Sequence, residues 1–148
     1  MDSARQAEIL YRARIMQDKD EVRQFEEALE ALASSGDPSV LPSLYAAFDD
    51  STQQQEVMWG LIHAVEVFEA EDSLREMARA IPEIHLRAKE WIRTMHFRIL
   101  NDAQYTQIYK QVLKSLSHDV REVVQNELNA LAKETPEFRE RVSRLLSD

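Results

Sequence analysis

Apolar residues recur along this chain at intervals of three and four, the spacing of a helix that buries one side. The stretch EVMWGLIHAVEVF, residues 56–68, is an example. At about 100° per residue, Val57, Leu61, Val65 and Phe68 fall on one stripe, with Met58, Ile62 and Ala64 bordering it. Further on, Ile84, Ala88, Trp91, Ile92, Met95 and Ile99 make a second core stripe. β-branched residues never cluster, which argues against a sheet. Helix punctuation is frequent. Gly36 sits where a helix should stop, and Asp37-Pro38 reads as a cap followed by Pro in the first turn. Ser51 with Gln54, Thr52 with Gln55 and Ser73 with Glu76 have capping-box spacing. Asn101-Asp102, Ser117 and Thr135-Pro136 supply further starts.

The pattern predicts helices near 3–16, 20–34, 38–48, 52–69, 73–81, 83–100, 102–115, 118–133 and 136–146. A shorter helix precedes a longer one, and the longer ones begin near 20, 52, 83 and 118. That spacing suits stacked antiparallel helical hairpins, a HEAT-like repeat array of about eight or nine helices. The repeats share little sequence, so an irregular all-α bundle is the alternative. No linker or low-complexity run divides the chain, so residues 1–148 read as one domain.

The polar side of the 56–68 helix is unusual. Trp59, His63 and Glu66 lie opposite the core stripe, within about 60° of one another. Gly60 and Val67 share one edge, where a missing side chain lets another helix come close. Two readings fit Trp59. A neighbouring hairpin covers it as a second core, or it is an exposed anchor, since Trp is the commonest interface hot spot. The helix near 83–100 is basic. His85, Lys89, Arg93 and His96 run along one flank, with Arg87 and Arg98 on the other. Either these cations pair with neighbouring carboxylates, or Arg93 and His96 join Trp59 and His63 in a shared groove. Glu127 falls inside the apolar arc of Val120, Val123, Val124 and Leu131, so it needs a partner, with Arg93 or Arg98 in reach.

Charge sharpens the picture. The formal net charge is −9. From Gln24 to Leu74 there are eleven carboxylates and no Lys or Arg, so this window carries −11 and the rest +2. Such a surface suits a basic protein and not a nucleic acid, whose phosphates need clustered Lys and Arg. A merely solvated acidic face is the bland reading. The acidic turn Asp49-Asp50, with Glu56, Trp59, His63 and Glu66, is the candidate partner surface, and Arg93 and His96 border it.

Enzyme signatures are missing. Two Gly in 148 residues exclude a Gly-rich phosphate loop. With no Cys there is no thiolate nucleophile and no Cys metal site, and the four His are scattered. No metal or cofactor is expected. No apolar run of about 18 residues spans a membrane, and the N-terminus lacks a secretory leader's apolar core. A cytoplasmic protein is the expectation.

At WGLIHAVE, Trp59 to Glu66, the chain resembles the immunity protein 30 family, small all-α antidotes of bacterial polymorphic toxin systems. LPSLYAAFDD resembles the family's short helix and acidic turn. AKEWIRTMHFRILN resembles its central helix, with Trp91, Arg98, Leu100 and Asn101 in matching places. VREVVQNELNAL resembles its last long helix. The likeness spans roughly residues 20 to 133. It implies a protein that binds the toxic C-terminal domain of a contact-dependent, Rhs-type or other polymorphic toxin and performs no chemistry. The acidic third suits a basic toxin such as a nuclease, occluded at or beside its active site. The alternative is a HEAT-like scaffold or adaptor in a host complex. Oligomeric state is not legible in the sequence.

Overall fold

The computed structural model describes residues 2–148. Among the described residues it contains nine α-helices, two short 3-10 turns and no strand. The helices are α1 (Ser3–Arg12), α2 (Lys19–Ser34), α3 (Leu41–Ala46), α4 (Gln55–Glu66), α5 (Ala70–Ile84), α6 (Lys89–Leu100), α7 (Ala103–Ser115), α8 (His118–Glu134) and α9 (Arg139–Leu146). They form stacked helical hairpins in two layers. In one layer α1 lies beside α3, α3 beside α5, α5 beside α7 and α7 beside α9. In the other α2 lies beside α4 and α6 beside α8. α5 is central and packs against α3, α4, α7 and α8.

One apolar cluster runs from Leu10 to Leu145 and occupies the space between the layers. Every residue of the second predicted stripe, from Ile84 to Ile99, is buried. In α4 the buried positions are Met58, Leu61, Ile62, Ala64 and Val65. Val57 is only half-buried, so the core stripe is turned slightly from its expected centre.

Helix ends follow local chemistry at some junctions and distant chemistry at others. Gly36 stops α2 with φ +67°, a conformation that favours glycine. Asp102 caps α7 by accepting from the Tyr105 amide at 3.0 Å. The predicted capping boxes do not form. Thr52 is buried in a loop, and its hydroxyl accepts from the Gln54 amide at 3.3 Å. Ser73 lies inside α5, where its hydroxyl donates to the Val65 carbonyl at 2.8 Å and meets the Tyr45 hydroxyl at 2.6 Å. α5 also continues through Pro82 to Ile84 instead of ending at 81. Pro82 stands in its last turn, and the buried Ile81 and Ile84 hold that turn against the core.

The break between α5 and α6 is held from far away. Asp50 accepts from the Glu90 amide at 3.0 Å and the Trp91 amide at 3.3 Å, satisfying orphan donors at the start of α6. Its own amide donates to the Arg87 carbonyl at 2.8 Å. Asp49, next to it, is 5% exposed. It takes the Arg14 guanidinium at 3.0 Å and the Ser51 amide at 2.8 Å. The acidic turn therefore rivets the end of α1 to the start of α6.

Glu127 has a different partner from the one expected. Its carboxylate lies 3.2 Å from Nδ1 of His85, while Arg93 pairs with Glu134 and Arg98 with Glu66. The side chain is 14% exposed, consistent with a structural role. Glu127→Ala is expected to lower stability by about 1 kcal/mol, because His85 loses its hydrogen-bond partner but stays half-open to water. Thermal unfolding measures this, and a wild-type melting temperature would remove the pair from the stabilising contacts.

Candidate functional site

The outer side of α4 is flanked by two clefts, one shared with α2 at Glu56, Val57 and Gly60 and one shared with α6 at Trp59. The indole is 37% exposed, and its ring stands nearly perpendicular to that of buried Trp91, with centroids 5.7 Å apart. Such edge-to-face pairs contribute about 0.5–1.5 kcal/mol beyond area burial. The His63 ring lies 6.3 Å from Trp59 on the next turn, and His63 is exposed. Arg98 reaches from α6, with its guanidinium carbon 5.8 Å from the centre of the Trp59 ring. It grips Glu66 with two bonds of 2.7 Å. That bidentate geometry raises the Arg98 pKa through its hydrogen bonds to Glu66. Long side chains thus carry the α4–α6 contact, and a cleft of about 250 Å³ remains between Trp59, Trp91, Gln55, Thr94, Asp50 and Glu90.

Eight residues were expected at this surface, and the structure sorts them. Glu56, Trp59 and His63 stand exposed on the outer side of α4. Glu66 borders them but is tied to Arg98. Asp50 is half-buried and caps α6. Arg93 is half-buried and paired with Glu134 on α8, away from α4. Asp49 and His96 are not on a surface at all. His96 is 0% exposed, with Nε2 2.8 Å from the Tyr109 hydroxyl and Nδ1 without a partner. Burial alone pushes its pKa down to about 3, so the ring is neutral inside the fold. Arg93 and His96 therefore do not share a groove with Trp59 and His63, because Arg93 is paired with Glu134 on α8 and His96 is buried against Tyr109 of α7.

The acidic window is partly neutralised. Asp49 pairs with Arg14, Glu66 with Arg98, and Glu71 and Asp72 with Arg75, while Glu27 lies 3.9 Å from Arg23. Glu26, Glu30, Asp37, Glu56 and Glu69 have no ion pair among the described residues and are all exposed. Three of them, Glu26, Glu30 and Glu56, line one groove of about 450 Å³ between α2 and α4. Sequence reasoning singled out Glu56 but not Glu26 and Glu30. Their signal was present, since both lie one turn apart in the stretch without Lys or Arg. What the sequence lacks is the register that sets α2 beside α4.

Gly60 was expected to admit a close helix. A Cβ built there would meet only Leu29 Cδ2, at 3.8 Å, an ordinary contact. α2 does pass nearby, but packing does not require the glycine. It leaves a notch in the groove floor instead. Among the described residues, no group of three His, Asp or Glu is placed to hold a metal ion. Among the described residues, no helix is long and apolar enough to cross a membrane.

The molecule is thus a stack of helical hairpins with a charged outer face that carries one half-exposed indole. The Immunity protein 30 family profile matches residues 12–109, and the chain belongs to that family. The match takes in α2 to α6 and part of α7, and does not reach the last long helix that also bore a resemblance. No curated protein and no solved structure gave a significant match.

Proposed function

We propose that this protein is an antidote that binds the toxic C-terminal domain of a polymorphic toxin, contact-dependent or Rhs-type, and blocks its action. Family membership carries this reading, since the Immunity protein 30 match spans two thirds of the chain. The charged face supports its finer part. Five exposed carboxylates of the acidic window have no ion pair among the described residues, its other ion pairs being made by Arg14, Arg23, Arg75 and Arg98, and an opposite-sign partner gains association rate from such a field. The partner is a basic domain, a nuclease being the fitting kind, and the mechanism is occlusion of its active site. The antidote supplies no catalytic group. It acts in the cytoplasm as one domain, where the toxin's targets are.

The cheapest test is genetic. The gene beside this one should encode a large protein with a toxic C-terminal domain. Expressing that domain in bacteria should arrest growth, and co-expressing this protein should restore it. The purified pair should bind at nanomolar Kd or tighter. Growth arrest that persists despite soluble antidote would refute the reading and favour a scaffold role.

A further inference from the structure

We propose that the groove between α2 and α4 seats a cationic, amphipathic segment of the toxin domain, with an apolar side chain in the notch over Gly60. This rests on the antidote reading and names the chemistry of its contact. The groove has an apolar floor and charged walls. Leu29, Ala33 and Val57 are half-buried and form the floor with Gly60. Glu26 and Glu30 rise from α2, and Glu56 from α4.

Two electrostatic features favour a cationic occupant, and a third feature, Gly60, leaves room over the floor. Glu26 and Glu30 are like charges one turn apart, a spacing that destabilises a helix by a few tenths of a kcal/mol. The last turn of α2 has no basic residue, so the negative end of its dipole adds to the same field. Gly60 costs α4 about 1 kcal/mol relative to Ala, although a methyl group would fit without a clash. Elsewhere carboxylates between packed segments find a cationic or imidazole partner, as Glu66 does in Arg98, Asp49 in Arg14 and Glu127 in His85. In this groove no cation lines the walls among the described residues. The three carboxylates do not converge as metal ligands either, so the matching charges are spread along a partner. Lysines or arginines on both sides of one apolar residue satisfy the walls and the floor together.

The chain has no cysteine, so an introduced thiol is unique. Ala33→Cys and Gly60→Cys place one in the groove, and Gln107→Cys places one on exposed α7 as a control. Each is treated with a maleimide, with and without the cognate toxin domain. The expected result is protection of about tenfold or more at 33 and 60 and none at 107. Glu26→Lys with Glu30→Lys should also raise the Kd by about tenfold or more, mainly through slower association at low salt. Gly60→Ala should bind better than Gly60→Met, which fills the notch. If wild type binds the toxin while 33 and 60 stay open to maleimide, the groove is not the contact and the antidote reading stands. Equal protection at 107 would also overturn the groove, as a global effect. If wild type does not bind the toxin at all, both ideas fall together.

Discussion

Trp59→Ala is expected to weaken toxin binding about 30- to 150-fold, the loss of about 2–3 kcal/mol typical of a central aromatic anchor. The indole combines features that seldom occur together in a free protein. It is half-exposed, yet its ring packs nearly perpendicular to buried Trp91 and the Arg98–Glu66 clamp lies beside it. Little side-chain entropy is left to lose when a partner covers it, which is where a rigid anchor gains over a flexible one. The same substitution removes the contact with Trp91, so stability must be measured alongside affinity. A modest fall in melting temperature is expected, with the helical signal retained. Trp59→Phe should keep part of both. An affinity within threefold of wild type for Trp59→Ala would exclude the indole from the interface.

Acid should unfold the protein through His96 more steeply than a carboxylate-rich chain of this size would otherwise show. In the unfolded chain a histidine titrates near 6.5; here burial holds the ring's pKa at about 3. The folded state therefore refuses a proton that the unfolded state accepts between those values. Stability is fully present above pH 6.5 and falls as pH drops, by about 1.4 kcal/mol per pH unit from this group, until the folded pKa is reached. Urea unfolding from pH 7 to pH 4 measures the slope. His96→Leu should begin less stable at pH 7, because the buried Tyr109 hydroxyl loses its partner. Its stability should then fall with a slope shallower by about one proton. Parallel slopes for the two proteins would mean that His96 titrates normally and is not sealed.

The fold was legible where chemistry is local. The 3.6-residue periodicity, Gly36 and Asp102 placed most helices, because each of those signals acts within a turn of its own residue. The boundary between α5 and α6 was not legible. Its cap, Asp50, lies 40 and 41 residues away from the amides that it satisfies. Asp49 and Asp50 read as an exposed acidic turn for the same reason. Nothing near them in sequence announces Arg14 or the start of α6. His96 illustrates a second limit. On a helix wheel it joins a basic flank, but α7 covers this one position and buries the ring against Tyr109. Helical phase set Trp59 and His63 opposite the core stripe, but it left open whether a neighbouring hairpin covers Trp59, and Glu66 on the same side is half-buried against Arg98. Glu26 and Glu30, which share a groove with Glu56, needed the packing of α2 beside α4.

In the proposed complex the toxin lies on the outer face of α2, α4 and α6. Hydroxyl-radical footprinting of the free protein and of its complex with the toxin domain tests it directly. Trp59 and His63 report on that face, while Leu86, 88% exposed, and His118 report on other parts of the surface. Oxidation of Trp59 and His63 should drop severalfold in the complex, with Leu86 and His118 unchanged. Protection of Leu86 or His118 while Trp59 stays as reactive as in the free protein would place the toxin elsewhere.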